Sequence, residues 1–473
     1  MIYSERPPSF LHAFICVFTT ILIIFYGLFV LHANIHGIIV IGVFWVILNV
    51  LLLSQDMNRL KQSMTSAIQN AASVLLIYMF IGAVIGAFII SGAIPTLIYY
   101  GLKFITPQLF LPVGMMLCSV MSLAIGSCWA TIGTMGLALF GLAAILHIPL
   151  PIAAGMIVSG AYFGDKLSPI SDTTILSALV TGTDLYRHIK GMTYSLIPAY
   201  FFSLFIFWII GVFYVPDKIH ELSHLNDVFT YLTTHYHIGL IPLLPMMVMF
   251  GCSMAHKPAE LSMLLGIVLA LLVAYFVQHQ PLLTSIDALY FGSNVKITDQ
   301  PIIENILNRG GIERMLSSVA LTLLILALGG LLESYHFITV LFSTALKKLK
   351  GATSLVAATL LTAVVSNMLI SEAYLTIILV NKIFGENYKK NNLDSCLLSK
   401  AIEEGSTFST PLIPWTTSGI FIANTLGISA IEYLPWSIFN WIAPLFFIIF
   451  VACRFFGEKM FIAQGGAQDA RST

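Results

Sequence analysis

Long runs of apolar side chains, separated by short polar stretches, extend from residue 10 to residue 456 of the 473-residue chain. A helix needs about 20 apolar residues to cross a bilayer, and several of these runs reach that length. Others, near 129–163 and 396–430, are short or are interrupted by Gly and Pro. The runs lie at about 10–31, 37–54, 71–101, 108–125, 129–147, 150–163, 192–214, 238–252, 261–278, 316–341, 353–370, 373–385, 396–404, 411–430 and 436–456. The pattern predicts an all-α polytopic membrane protein in which some spans are broken helices or re-entrant hairpins.

The composition excludes several classes of protein. Apolar residues make up 58% of the chain and charged residues 9%, whereas soluble domains carry about 25% charged residues. The 22 basic and 22 acidic residues balance, without a basic stripe or an acidic tail. The lipid bilayer is therefore the expected partner, and nucleic acid is not. The six cysteines lack paired spacing, which favours small core residues over disulfides or metal ligands.

Basic residues in short loops indicate which side of the membrane each loop occupies. They fall at Arg59 and Lys61, at Arg187 and Lys190, at Lys347, Lys348 and Lys350, and at Arg454 and Lys459. These loops are assigned to the cytoplasm, and the acidic stretch 215–237 to the outside. The predicted organisation is a first membrane repeat over 1–214, an external connecting loop over 215–237, a second repeat over 238–457 and a cytoplasmic tail over 458–473.

A weak internal repeat accompanies this division. The stretch GAFIISGAI at 86–94 resembles GLLESYHFI at 330–338, an offset of 330 − 86 = 244. The span that starts near 71 is entered from a basic loop, while its counterpart near 316 leads into one, so the two halves point in opposite directions. Inverted repeats of this kind are typical of secondary transporters. Because few letters are identical, a chance match is the alternative.

The stretch GDKLSPISDTT, residues 164–174, places two aspartates and a lysine between apolar runs. An acidic side chain in mid-membrane costs about 2.5–3.5 kcal/mol, so Asp165 and Asp172 indicate a site or a wet cavity. Pro169 predicts a helix break near 165–169, because proline clashes with the carbonyl four residues earlier. The break would supply backbone carbonyls beside the hydroxyls of Ser168, Ser171, Thr173 and Thr174. Such an all-oxygen shell suits a hard cation such as Na⁺. The alternative is a surface loop with Asp165 and Lys166 in water and Asp172 capping a helix.

The second half contains a similar concentration of oxygen atoms in SNMLISEAYLT. Asn367 and Ser371 are four residues apart, and Glu372 lies close to the same helical face. We expect them to act as cation ligands, with Glu372 as a proton-carrying carboxylate. The alternative is that they cap helix ends at a short turn.

A second predicted helix break lies in EEGSTFSTPLIPWTTSG, which contains two prolines and the hydroxyls of Thr416 and Thr417. Glu403 and Glu404 are adjacent and cannot both face one site, so one is expected in a polar crevice and the other at the periphery. Ser127, in GSCWATIGTMG, is a further candidate ligand, with close helix packing as the alternative. Asp184, Arg187 and His188 are assigned to a cytoplasmic loop.

These residues predict proton-coupled exchange. Burial penalises the charged form of a carboxylate, so a proton and Na⁺ compete for the same group. Asp165 and Asp172 are the candidates for that group, and Glu372 is expected to supply the remaining negative charge of the site. Lys166 either neutralises a carboxylate after the cation leaves or faces water. No pairing of nucleophile and base, zinc spacing or phosphate loop is present, so an enzyme is not expected.

The motif G-D-K-x-S-P-x-S-D-T-T, followed by GTDLYRHI and by STPLIPWTTSG in the second half, resembles the NhaC family of sodium/proton antiporters. The resemblance covers residues 70–430. It implies the ion-transporter-superfamily fold, with a scaffold and a mobile transport domain. It implies exchange of Na⁺ for H⁺ at Asp165 and Asp172 in a bacterial cytoplasmic membrane, with no cofactor, and it places the family's second-half acidic position on Glu372.

The chain departs from the family pattern at three positions, and two of these departures remove an amide side chain. The family usually has Asn where Ile175 and Thr416 stand here, and aspartate where Glu372 stands. These differences keep an alternative open, in which a small organic anion of the malate/lactate type, or an amino acid, is exchanged with Na⁺ or H⁺ coupling. The oligomeric state, a homodimer included, is also left open.

Overall fold

The computed structural model describes residues 7–54, 56–214, 222–255, 257–293, 304, 307–346 and 351–454. Within these residues the regular structure is entirely helical. The first half contains α1 (Phe10–Phe29), α2 (Ile35–Leu51), α3 (Met57–Asn70), α4 (Ala72–Ile90), α5 (Ala93–Phe104), α6 (Phe110–Ile125), α7 (Cys128–Thr131), α8 (Leu137–Ile145), α9 (Leu150–Leu167), α10 (Asp172–Thr181) and α11 (Leu185–Tyr214). A π-helical turn, Ile132–Gly136, joins α7 to α8.

The connection and the second half continue the helical pattern. They contain α12 (Leu222–His235), α13 (Leu244–Met254), α14 (Ala259–Phe276), α15 (Leu282–Phe291), α16 (Ile312–Ser334), α17 (Phe337–Leu346), α18 (Ala352–Ile370), α19 (Ala373–Lys390), α20 (Ser395–Ser409), α21 (Thr417–Leu426), α22 (Ala430–Tyr433) and α23 (Ile438–Ala452). Eight helices of the described residues are long and apolar enough to cross a membrane. The segments Ala430–Trp436 and Ile438–Ala452, bent by 52°, make a ninth if they form one span. The prediction of an all-α polytopic membrane protein is confirmed.

Left-handed turns recur at a constant spacing in the two halves. Gly126 and Gly182 have positive φ angles of 71° and 67°, and Ser371 and Gly427 have 64° and 67°. The spacings are 371 − 126 = 245 and 427 − 182 = 245. The helices α9 and α10 begin 245 residues before α20 and α21, since 395 − 150 = 245 and 417 − 172 = 245. The agreement in the positions of turns and helix starts supports the internal repeat far more strongly than the sequence identity between the two halves does.

The predicted domain boundaries and the inverted orientation of the halves stay predictions. The basic loop at Lys347, Lys348 and Lys350, on which the orientation partly depends, lies outside the described residues, as does the tail 458–473.

The prediction of a polar connecting loop over 215–237 is wrong for most of its length. Residues 215–221 lie outside the described residues, but 222–235 form the helix α12. Val228, Leu232 and Tyr236 are buried at a spacing of four residues, which is the period of one helical face. The polar residues between them hid this sparse apolar face.

Backbone contact between α6 and α9 positions the first helix break. A Cβ atom added to Gly164 would lie 2.2 Å from the carbonyl oxygen of Ser119. One added to Gly160 would lie 2.5 Å from the carbonyl oxygen of Met115. The absence of side chains at these two positions therefore allows the helices to touch along their backbones.

Replacing Gly164 with alanine is expected to push α6 away from α9 and to destabilise the fold by about 1–3 kcal/mol, the usual cost of overpacking. The thermal unfolding temperature in detergent measures this loss. Gly251→Ala on α13 is the matched control, because nothing lies within 4 Å of its added Cβ atom and alanine is the better helix former. Equal unfolding temperatures for Gly164→Ala and Gly251→Ala would contradict the close contact.

Candidate ion-binding site

The first helix break lies where the sequence predicts it. Helix α9 ends at Leu167, and α10 begins at Asp172 with Ser171 as its N-cap residue. The chain between them is extended at Ser168, because Pro169 cannot continue the helix. Asp165 and Lys166 thus stand in the last turn of α9, where its free carbonyl ends also lie.

The second break has the same form. Helix α20 ends at Ser409, a 3₁₀ turn follows, and α21 begins at Thr417. The helix α10 of the first half packs against α19 and α20 of the second half. The breaks of the two halves are therefore joined through these helices.

Lys166 lies at the centre of a buried group of charges. Its ammonium is 2.7 Å from Asp165 Oδ2 and 3.1 Å from Glu403 Oε1. Lys166 is 1% exposed, Asp165 5% and Glu403 0%. These three residues are named the Lys166 cluster. The alternative in which Asp165 and Lys166 lie in water is wrong, because helix packing encloses both.

Hydroxyl groups complete the surroundings of Glu403. Lys166 donates a hydrogen bond to Thr173 Oγ1 over 2.5 Å. Thr173 and Thr174 donate to Glu403 Oε1 at 3.2 and 3.4 Å, and Ser177 donates to Oε2. Three hydroxyl donors from α10 thus hold the carboxylate of α20. The predicted ligands Thr173 and Thr174 belong to this arrangement.

The Lys166 cluster contains two carboxylates and one ammonium. If all three are ionised, the cluster has a net charge of −1 in a buried region. Charge buried without compensation is unfavourable, so the cluster attracts one further positive charge. A monovalent cation or a proton would supply it.

Asp172 and Glu372 meet around one tyrosine. The Tyr374 hydroxyl donates to Asp172 Oδ2 over 3.3 Å, and Tyr374 interacts electrostatically with Asp172, Glu372 and Asp165. Asp172 is exposed at the start of α10, so it lies at the open edge of the site. Glu372 is 2% exposed and is the N-cap residue of α19, where its Oε1 accepts from Tyr374 N at 3.4 Å.

Several buried oxygen atoms at the two helix breaks and the second-half turn have no hydrogen-bond partner in the described part of the chain. They are Ser168 Oγ, Ser366 Oγ, Asn367 Oδ1, Ser371 Oγ, Glu372 Oε2 and Ser406 Oγ. The other side of the Asn367 amide is occupied, because its nitrogen donates to Ser406 O and to Ser409 Oγ, the latter over 2.7 Å. Buried oxygen atoms without donors are costly, and a cation is one way to satisfy them.

Of the remaining predicted ligands, Ser127 and Thr416 serve local structure, and the Thr417 side chain lies beside Glu372. Ser127 is half-buried and caps α7 by accepting from Ala130 N at 3.3 Å. Thr416 caps α21, accepting from Gly419 N at 3.1 Å and donating to Ile413 O. Thr417 is buried, and its carbonyl accepts from the Tyr78 hydroxyl over 2.5 Å. A role of Ser127, Thr416 and Thr417 in binding stays a prediction.

Two expectations about neighbouring residues are wrong. Glu404 is 0% exposed rather than peripheral, and it pairs with Lys400 at 3.5 Å. Arg187 and His188 lie inside α11 rather than in a loop, and His188 is fully buried. Both differences arise because the burial of a charged side chain depends on the helices that pack over it, which the local sequence does not specify.

The three carboxylates expected to bind Na⁺ do not form one metal cluster. Among the described residues, no group of three His, Cys, Asp or Glu side chains is placed to hold one metal ion. A Na⁺ ion would therefore bind a single carboxylate together with hydroxyl and carbonyl oxygens, which suits a hard monovalent cation.

The fold and the site define a class of protein. A helical membrane protein with a repeated pair of broken helices, and with ionisable side chains buried beside the breaks, is a secondary transporter. Residues 9–178 and 160–455 match the model of the Na+/H+ antiporter family. The chain belongs to the Na⁺/H⁺ antiporter family, and it is a multi-pass bacterial membrane protein.

Curated relatives agree with this placement. The malate-2H(+)/Na(+)-lactate antiporter of Bacillus subtilis (strain 168) is 36% identical over 384 residues, which cover 81% of each chain. The Na(+)/H(+) antiporter NhaC of Alkalihalophilus pseudofirmus is 32% identical over 83% of this chain and 84% of its own. The arginine/ornithine antiporter ArcD of Halobacterium salinarum is 30% identical over 86% of this chain and 83% of its own. The resemblance to NhaC is confirmed, and membership of an antiporter family indicates a transporter rather than an enzyme.

Proposed function

We propose that the protein exchanges Na⁺ for H⁺ across the cytoplasmic membrane, with the Lys166 cluster as the centre of binding. The observation that supports this is the excess of one carboxylate over one ammonium in a buried cluster. Either Na⁺ or a proton balances this charge, and both cannot do so at once. Transported Na⁺ and H⁺ are the only small species that the proposal needs.

Lys166 acts as an internal competitor of the transported cation. Its ammonium contacts both Asp165 and Glu403. When Na⁺ binds Asp165, Lys166 keeps its contacts with Glu403 and with the Thr173 hydroxyl. When Na⁺ leaves, Lys166 and a proton neutralise the two carboxylates. Exchange follows if the empty, negatively charged site seldom reorients across the membrane.

Asp172 and Glu372 are proposed as acidic ligands that Na⁺ contacts in turn, each at a different position from Asp165. Asp172 lies at the open edge beside Tyr374, which suits the entry of a cation. Glu372 has a free oxygen and, among the described residues, no ion-paired lysine or arginine. The unpartnered oxygens of Ser168, Asn367 and Ser371 are proposed to replace part of the hydration shell of the ion.

Replacing Asp172 with asparagine tests the proposal. Removing a partly solvated negative charge is expected to weaken Na⁺ binding about tenfold, which corresponds to about 1.4 kcal/mol, while the fold is kept. The measurement is the Na⁺-driven pH change in everted vesicles over a series of Na⁺ concentrations. Asp184→Asn is the matched control, because Asp184 is exposed and asparagine also caps helices well. Undiminished exchange in Asp172→Asn would remove Asp172 from this role.

A second candidate function is the exchange of a small organic anion or an amino acid with Na⁺ or H⁺ coupling. It is supported by the identity of 36% to a malate-2H(+)/Na(+)-lactate antiporter and of 30% to an arginine/ornithine antiporter. The N-termini of α10 and α21 at the two breaks would attract a substrate carboxylate through their dipoles. Flux measurements in liposomes with Na⁺, Li⁺, malate, lactate and arginine separate the two functions. Na⁺-driven proton movement without any organic solute would favour simple Na⁺/H⁺ exchange.

A further inference from the structure

A second buried ion pair lies beside the Lys166 cluster and has no part in the mechanism above. Lys400 and Glu404 are both 0% exposed, and their charged atoms are 3.5 Å apart. Glu404 Oε1 also accepts a hydrogen bond from Ser195 on α11 at 3.1 Å. A buried ion pair is rarely a net source of stability, because desolvation offsets the attraction between the charges.

The two members of this pair are held unequally. Lys400 donates to the carbonyl of Gly191 at 3.0 Å and lies 4.7 Å from the ring centroid of Phe447. Its ammonium therefore has partners that do not depend on Glu404. Lys166, in contrast, is held by two carboxylates and one hydroxyl. If Glu404 loses its charge, the Lys400 ammonium thus keeps a carbonyl and an aromatic ring as partners.

One oxygen atom of Glu404 is poised to accept a proton. Both contacts of the carboxylate go to Oε1, while the buried Oε2 has no hydrogen-bond partner in the described part of the chain. An ionised carboxylate with an unpartnered buried oxygen is costly, and a proton on that oxygen removes the charge. No carboxylate, cysteine or histidine group there is placed for a metal ion.

Polar side chains recur along α20 from this pair to the N-terminal end of the helix. They are Asp394, Ser399, Lys400, Glu403 and Glu404, which span about 15 Å at 1.5 Å per residue. His188 lies beside it, fully buried, with Nδ1 2.5 Å from Ser399 Oγ and Nε2 unpartnered among the described residues. At the outer end, Arg187 is one-third exposed and pairs with Asp394 at 2.6 Å.

The charged surroundings of Glu404 are few. Lys400 and Glu403 on its own helix act on it electrostatically. Helix α11 contributes His188, which interacts with Glu403, Lys400 and Lys166. Helices α18 and α23, which also pack against α20, contain no titratable side chain. Asp172 on α10 lies at the exposed start of that helix, and the buried Tyr388 of α19 bonds to Thr359.

We propose that Glu404 is a proton-binding site separate from the Lys166 cluster, which releases its proton when Na⁺ binds at Asp165 and takes up a proton when Na⁺ leaves. His188 and the polar residues along α20 connect this site to the Arg187–Asp394 end of the helix. The inference rests on the proposed Na⁺/H⁺ exchange. It adds a second binding position, so that Na⁺ and the proton exclude each other through the charge of neighbouring carboxylates rather than by occupying one carboxylate.

The test compares two transport assays on the full-length protein in liposomes. One assay follows Na⁺-driven proton movement at a series of pH values, and the other follows the exchange of radioactive Na⁺ for unlabelled Na⁺. For Glu404→Gln we expect Na⁺/Na⁺ exchange within about twofold of wild type, and Na⁺-driven proton movement reduced at least about tenfold. Glu386→Gln is the control, since Glu386 forms an exposed pair with Lys390 at 3.4 Å.

A double variant guards against misfolding. In Lys400→Met with Glu404→Gln, both charges are removed together, which buried pairs often tolerate. The same loss of proton movement with retained Na⁺/Na⁺ exchange is expected. Wild-type proton movement with an unchanged pH profile in either variant would overturn the proposal. Failure of both variants to fold would also overturn it, because the pair would then serve to hold α11 against α20. If the wild-type protein moves Na⁺ without protons, the proposed function is wrong, and the proposed proton-binding role of Glu404 is then wrong as well.

Discussion

Lys166→Met is expected to abolish Na⁺-driven proton movement and to make the stability of the protein depend on Na⁺. The substitution leaves Asp165 and Glu403 buried without their shared ammonium. Breaking a buried ion pair by removing one partner costs about 3–5 kcal/mol. Na⁺ at the vacated position would recover part of this loss, because a ligand that binds only the folded state stabilises it. The measurement is thermal unfolding in detergent with NaCl or with choline chloride at equal ionic strength.

The matched control for this experiment is Lys190→Met, because Lys190 is exposed on α11. Its unfolding temperature should be close to that of wild type in both salts. A Lys166→Met protein with wild-type stability in choline chloride, or with intact exchange, would contradict the central role of this lysine.

Glu403→Gln is expected to inactivate exchange by a different route. With Glu403 neutral, Lys166 is left with Asp165 as its only charged partner in the described structure. The ammonium then neutralises the carboxylate that Na⁺ needs, and displacing it costs roughly 3 kcal/mol or more. That corresponds to a loss of Na⁺ affinity of about a hundredfold. The Na⁺ concentration dependence of the vesicle pH change measures the loss.

This variant should be more stable than Lys166→Met in the absence of Na⁺, because no unpaired charge is left. Thr173 and Thr174 can still donate to the amide oxygen at position 403, and the amide nitrogen can donate to Ser177 Oγ. Glu386→Gln is again the control for the change of residue type at an exposed position. Unaltered Na⁺ dependence in Glu403→Gln would show that Lys166 does not restrict access to Asp165.

The helix breaks could be predicted from the sequence because their causes are local. Pro169 ends α9 wherever the rest of the chain lies. The same reasoning places the end of α20 before the Pro411 and Pro414 stretch. The helix α12 could not be predicted in the same way. Only three apolar residues form its buried face, and they lie within a polar segment, so the helical pattern in the sequence is weak.

The partners within the site could not be predicted, because they come from distant parts of the chain. Lys166 on α9 and Glu403 on α20 are 403 − 166 = 237 residues apart, and α10, which follows α9 after the break, packs against α20. The spacing of Lys400 and Glu404 by four residues is a local signal that does predict an ion pair on one helical face. Its burial, however, depends on α11 and α23, so the sequence alone could not distinguish it from an exposed pair.

The glycine contacts between α6 and α9 have a consequence for movement. Helices whose backbones touch cannot slide past each other without displacing main-chain atoms, because a close-packed interior resists continuous deformation. Gly160 and Gly164 therefore tie the two helices into one rigid body. If transport moves Asp165 and Lys166 from one side of the membrane to the other, α6 is therefore expected to travel with them.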